Sequence, residues 1–226
     1  PSSNKKVRYR PFLVKEEKVL IIALESKNSS DITNAVTEVL KKCILTKGIN
    51  VDELPTFDIE YLFLNIRSKS IGEDIKITVT CPDDNETKVP VTIYVDEIKV
   101  VRQKDHSTDI RLDDKMTLRM KYPSLNQFIE TNFETSDGSE TVVEKTFKVV
   151  ANCMDTIFTG EDAWEAKDYT PSERMDFVEQ LNSSQYKKVE NFFSTMPKLS
   201  HTIEVVNPNT KKKGTVVLEG LADFFA

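Results

Sequence analysis

Cysteine, histidine and glycine are all scarce in this chain, and each shortage closes off a kind of chemistry. Three cysteines at unrelated spacings, Cys43, Cys81 and Cys153, do not make the disulfide framework of a small secreted domain. The two histidines, His106 and His201, stand apart from each other and from the cysteines, so no close ligand pair of a structural zinc site is supplied. Six glycines are spread without forming a phosphate-cradling loop of the P-loop or dinucleotide type. The longest unbroken apolar run, Val19 to Leu24, is far too short to span a membrane. The opening PSSNKKVRYR lacks the apolar core of a signal peptide, and the compartment expected is a reducing cytoplasm.

Excess charge of one sign is lacking too. Charged residues make up 30% of the chain and leave a net charge of −6, an acidic balance that argues against broad electrostatic binding of nucleic acid. Two basic clusters, KKVRYR near the start and Lys211 to Lys213, read as solubilising edges. They are also the only support for the alternative of a nucleic-acid-binding module built on degenerate zinc ribbons.

What is present is strand and helix patterning. In IKITVTCPDDNETKVPVTIYV, two alternating apolar runs flank a turn that Cys81 and Pro82 open. In HTIEVVNPNTKKKGTVVLEGL the pattern returns: Ile203 to Pro208 match Ile77 to Pro82 position by position, with Asn207 where Cys81 stands. Each reads as an antiparallel hairpin whose Pro sits where no ladder N–H is needed. The alternation requires Ile77, Val79, Ile203 and Val205 to face inward. Where a zinc knuckle would hold its second cysteine, the first turn has Asp83 and Asp84. With Glu86 these form a polar turn that offers one thiol, so no metal ligand set is assigned.

Helical periodicity occupies the remainder. FLVKEEKVLIIALESK has early acids suited to a helix N-terminus and an apolar run expected to be buried on several faces. Asp31 is the expected cap of a second helix carrying Ile32, Val36, Val39, Leu40, Cys43 and Ile44 on one stripe. A third has Ile59, Leu62, Phe63 and Ile66 in register and stops near Gly72, and a weaker strand signal lies near Thr117 to Lys121. Further on come a short helix in PSLNQFIETNF, a polar loop in ETSDGSET, and a helical stripe of Val143, Phe147, Val150, Met154 and Ile157. TPSE at 170–173 is a capping-box helix start, and Val189, Phe192, Phe193 and Met196 continue to a stop at Pro197.

The fold class expected is α+β, with several short amphipathic helices and two similar β-hairpins, one per lobe. The division expected is a basic tail over 1–11, a helical lobe over 12–133 with a hairpin at about 74–95, a loop over 134–141, and a helical lobe over 142–226 with a hairpin at about 201–218, all in one compact body.

The segments RPFLVKEEKVLIIALES, KKCIL, DIEYLFLNIRSKSIGE, NFFSTMPKLSHTIEV and LEGLADFF, in that order from about Arg10 to Phe225, resemble the baseplate hub assembly proteins of T4-like tailed bacteriophages. The resemblance implies a non-enzymatic protein that helps build the central hub of a contractile-tail baseplate, as a chaperone-like factor or a retained component. It implies hub or other tail proteins as partners, and residence in the host cytoplasm during assembly or in the virion tail. Neither nucleic acid, membrane nor small-molecule substrate is expected, and no cofactor. Some members carry cysteine pairs at both hairpin turns. This chain departs from that pattern, which puts metal binding by it in doubt. An enzyme whose site is assembled from distant residues, such as His201 with Cys153, is a further alternative.

The candidate partner-binding residues are apolar ones near the ends of the pattern: Phe12, Leu221, Phe224 and Phe225. The competing reading docks the terminal aromatics on the protein's own core and makes Phe12 a staple for the first helix.

Overall fold

The computed structural model describes residues 1–26, 28–124, 127 and 141–224. Contacts divide the chain into two units, Pro1–Val101 with Pro197–Ala226 as unit 1 and Arg102–Met196 as unit 2.

Unit 1 begins with three helices, α1 (Val14–Ser26), α2 (Ser29–Cys43) and α3 (Thr56–Ile71). The cap of α2 is Asn28, whose side chain accepts from Ser30 N–H at 2.9 Å. Asp31, the expected cap, instead lies in the first turn, where its charge suits the helix dipole. Val36, Val39, Leu40 and Cys43 form the buried stripe of α2, which packs against α1 and α3. In α3 the expected Ile59, Leu62, Phe63 and Ile66 are buried, and Gly72 ends the helix with φ 121°, a backbone that favours glycine. The basic segment at the start is tied down: Arg10 N–H donates to Cys43 C=O and Leu45 N–H to Arg8 C=O.

Both hairpins belong to this unit. β1 (Asp74–Thr80) pairs with β2 (Lys88–Tyr94), while β3 (Lys99–Val101), β8 (Lys198–Val206) and β9 (Lys213–Glu219) form a three-stranded sheet in the order β3-β8-β9. Their inward residues share one core: Ile75, Ile77, Val79 and Ile93 from the first hairpin, Leu199, Ile203, Val205 and Leu218 from the second, with Leu64 of α3 and Phe224. The expected inward set is therefore buried, and Thr78 and Glu204 face outward. An arrangement of one hairpin per lobe gives way to two hairpins in one unit. A lone two-stranded ribbon cannot bury its apolar face, and each hairpin covers the other's.

Unit 2 carries the antiparallel sheet β4-β5-β6-β7, built from β4 (Asp109–Arg111), β5 (Met116–Met120), β6 (Met154–Thr159) and β7 (Asp162–Glu165). Its helices include α4 (Val142–Cys153), α5 (Pro171–Glu179) and α6 (Ser183–Thr195), each opened by a capping box. Thr170 and Glu173 form the box expected from TPSE, with the Thr170 hydroxyl 2.7 Å from Glu173 Oε2. The stripe expected to run helically to Ile157 breaks at Cys153. Met154 and Ile157 belong to β6, which pairs with β5 and, through the tight turn at Gly160 and Glu161, with β7. The helix expected in 123–133 and the loop over 134–141 lie almost entirely outside the described residues. The architecture is α+β, as the patterning implied. A short C-terminal helix, α7 (Gly220–Asp223), completes unit 1.

Candidate interaction surface and the hairpin clasp

Helix α1 exposes aliphatic side chains, interspersed with Lys18 and Glu25, on a side that the described residues do not cover. Its buried stripe is narrow, consisting of Glu16, Leu20 and Ala23 at helical spacing. Val14, Val19, Ile21 and Ile22 are exposed, together with Leu13 just before the helix; Ile21 and Ile22 are 49% and 55% accessible. The expectation that the run Val19 to Leu24 is buried on several faces is corrected for Val19, Ile21 and Ile22. Among the described side chains one stripe of the helix is buried, and α2 packs against α1.

The stripe is anchored by a charge pair. Arg10 reaches both carboxylate oxygens of Glu16, at 3.1 and 2.9 Å, and Leu13 N–H donates to Oε2 at 2.6 Å. The Arg10 hydrogen bonds, followed by the Leu13 amide, hold the Glu16 pKa down at about 2. Glu16 is thus a buried anion with its partners in place, at the start of a helix whose dipole also favours negative charge.

Of the candidate partner-binding residues, Phe12 and Phe224 are placed inside. Phe12 is buried with its N–H bonded to Ser70 Oγ at 3.0 Å, and Phe224 packs in the core shared by the hairpins. Leu221 lies in α7; its side chain and Phe225 fall outside the described residues.

The two hairpin turns meet. Asn207, 1% exposed, donates from Nδ2 to Asp83 Oδ1 at 2.8 Å and to Asp84 Oδ2 at 2.7 Å. Its Oδ1 accepts from the Asn209 and Thr210 amides, and Thr210 Oγ1 donates to Asp83 Oδ2 at 2.5 Å. These bonds lower the pKa of Asp83, Thr210 first and Asn207 second. The turns repeat each other in detail: Asn85 N–H bonds Cys81 C=O as Lys211 N–H bonds Asn207 C=O, and Asn85 and Lys211 both have positive φ. Cys81 is buried, and its thiol is pushed up by desolvation and then by Asp83 and Asp84. The position match of Asn207 with Cys81 was visible in the sequence. That the turns would clasp each other was not, since only the folded face-to-face packing brings residues 83 and 207 together.

The remaining cysteines and histidines are scattered. Cys153 is buried in unit 2 and its thiol is pushed up to about 12 by desolvation. His201 belongs to unit 1 and lies 3.9 Å from Glu97. His106 in unit 2 has Nδ1 2.9 Å from Thr195 Oγ1 and Nε2 3.0 Å from the Tyr122 hydroxyl. Among the described residues, no three His, Cys, Asp or Glu side chains group as a metal site, and no helix is long and apolar enough to cross a membrane.

A family model described as T4 bacteriophage base plate protein matches residues 1–226, the whole chain. No curated protein and no solved structure matches.

Proposed function

Because the chain belongs to the T4 bacteriophage base plate protein family, we propose that it acts in building the central hub of a contractile-tail baseplate, through protein–protein contacts and without catalysis. The observation that carries this reading is the exposed apolar side of α1. Leu13, Val14, Ile21 and Ile22 present aliphatic surface that a protein working alone gains nothing by exposing. A hub protein offering an apolar groove would cover it in the helix-in-groove manner. An assembly factor and a retained hub component need the same surface, so the proposal is common to both roles.

The nucleic-acid alternative draws less support. Arg10 of the basic opening segment is engaged by Glu16, and Asn207 of the second turn is bonded to Asp83 and Asp84.

The test is co-expression with baseplate hub components, beside infection with phage lacking this protein. Direct capture of a hub component, with heads intact and tails failing for want of hubs, is the result expected. Normal tails in its complete absence would overturn the assembly reading. Salt-dependent retardation of DNA without hub capture would favour the nucleic-acid module instead.

A further inference from the structure

Unit 2 holds an apolar cavity beneath the open edge of its sheet. The cavity, about 310 Å³, is lined by Ile157 and Trp164 from β6 and β7 and by Tyr169, Arg174 and Phe177 from the segment that follows. Ile157 and Trp164 are directly cross-strand partners, so both project from one face of the sheet. Among the described residues β7 is an edge strand, paired to β6 alone, and all four of its residues are exposed. Trp164 is the single tryptophan of the chain and is 46% accessible at the mouth of the cavity.

Two further features give this edge a chemical preference. Along β7 and its flanks, between 161 and 168, the exposed side chains Glu161, Asp162, Glu165 and Asp168 are accompanied in sequence by one base, Lys167, which is paired with Glu165, while Asp155 lies on the other side of β6 near Arg119. Natural sheet edges are commonly guarded by lysine, and this one has an acidic border instead. Arg174, part of the cavity lining, also has a buried Nε with no protein hydrogen-bond partner. The same guanidinium donates from Nη1 to Ala151 C=O at 3.4 Å, so among the described residues Nε is left for a further acceptor such as a peptide carbonyl.

We propose that the β7 edge is a second docking site, which takes an extended basic segment of a partner protein by strand addition. The incoming strand continues the sheet through main-chain hydrogen bonds, seats one bulky apolar side chain against Trp164 and Phe177, and sets lysine or arginine against the acidic border. The site lies wholly in unit 2 and is independent of the α1 surface. It implies that the protein engages two partner elements by different modes, one through a helix face and one through a strand edge.

The probe is a nine-residue peptide with a central phenylalanine in an alternating valine–threonine strand, flanked by two lysines at each end. Its control has glutamates in place of the lysines. The expected result is a blue shift of Trp164 emission and slowed amide exchange in β7, with the lysine peptide binding at least tenfold more tightly than the control and weakening as salt rises. The double change Glu161→Lys and Asp162→Lys, both at exposed positions, should abolish that preference while leaving the fold intact. Ile21→Lys in α1 should leave the binding unchanged, so its failure is separable from that of the hub reading. Equal binding of the two peptides, or no response of Trp164 to either, would overturn the proposal. So would concentration-dependent dimers that the double change disperses, since a second copy would then be the occupant.

Discussion

Gly214 lies so near the ring of Pro82 that a Cβ built on it would stand 2.6 Å from Pro82 Cγ and 2.9 Å from Cδ. Gly214 faces Val205 across the second hairpin, as Val89 faces Val79 across the first. The repeat therefore carries a valine in one copy and a glycine in the other at the matching place, because there the turn of the first hairpin rests on the second. A proline ring has little freedom to yield. Gly214→Ala should cost about 1–3 kcal/mol of stability, read as a lower denaturation midpoint.

Asn207 is the hub of the clasp between the turns, giving protons to two carboxylates while accepting two backbone amides. Replacement by leucine removes every one of these bonds from a buried position, and about 2–4 kcal/mol should be lost. Asn207→Asp should be worse near neutral pH than in mild acid, because it sets a third carboxylate beside Asp83 and Asp84. Denaturation of the two variants at neutral and acid pH checks both statements. Equal stability of Asn207→Leu and the parent would mean that the clasp contributes nothing.

Much of the fold was legible in the sequence, and the parts that were not share a cause. The alternation through Ile77 and Val79, repeated at Ile203 and Val205, fixed strand faces because period two has only one solution when a single face is buried. Capping residues named the start of α5 for equally local reasons. Met154 and Ile157, by contrast, continue the spacing of Val143, Phe147 and Val150, and a short apolar pattern does not reveal where helix turns into strand. Ile21 and Ile22 misled in the opposite way. Apolar residues are expected inside, and only the position of α2 decides which face of α1 is covered. Two of the aromatic candidates, Phe12 and Phe224, find room in the core, while the exposed aliphatic side chains lie at the start of α1 and along it.

The Arg10–Glu16 pair gives the first unit a dependence on acid. Glu16 has its folded pKa lowered to about 2 from an ordinary 4.5, so its contribution is complete above the unfolded value and is lost as pH falls from there toward 2. Glu16→Gln should remove this part of the acid response. It should also cost roughly 2–3 kcal/mol at neutral pH, less than for a fully enclosed pair because Arg10 is partly exposed. Urea denaturation of parent and variant at pH 7 and pH 3 distinguishes the two, and the gap between them should shrink in acid.

His106 gives the second unit a separate response at milder pH. Desolvation, and then the charge of Arg102, lowers its pKa below the usual imidazole value. Thr195 Oγ1 gives its proton to Asn191 C=O at 2.7 Å, so His106 Nδ1 carries the hydrogen toward Thr195 and Nε2 accepts from Tyr122. This arrangement belongs to the neutral ring. The unfolded chain takes up its proton first as pH falls through about 6.5, so stability is full above that pH and declines below it. His106→Gln should flatten the decline between pH 7 and 5. Amide exchange in α6 at those two pH values would show it, and an unchanged slope would free His106 of the role.

The two sides of α1 provide the most direct check of how this protein works. Leu20 and Ile21 are neighbours in sequence, similar in size and apolarity, and differ only in the side of the helix they occupy: Leu20 is 9% exposed and Ile21 49%. Aspartate at Leu20 places an uncompensated charge against α2 and should cost about 3 kcal/mol or more. Lysine at Ile21 or Ile22 stays in water and should change stability by no more than about 0.5 kcal/mol. If the exposed side meets a hub component, the order reverses for binding. The double variant Ile21→Lys with Ile22→Lys remains folded yet no longer captures the component, while a conservative Ile21→Val retains capture. Thermal denaturation and co-purification on the same preparations separate the two effects. Undiminished capture by the folded double variant would move the contact off α1.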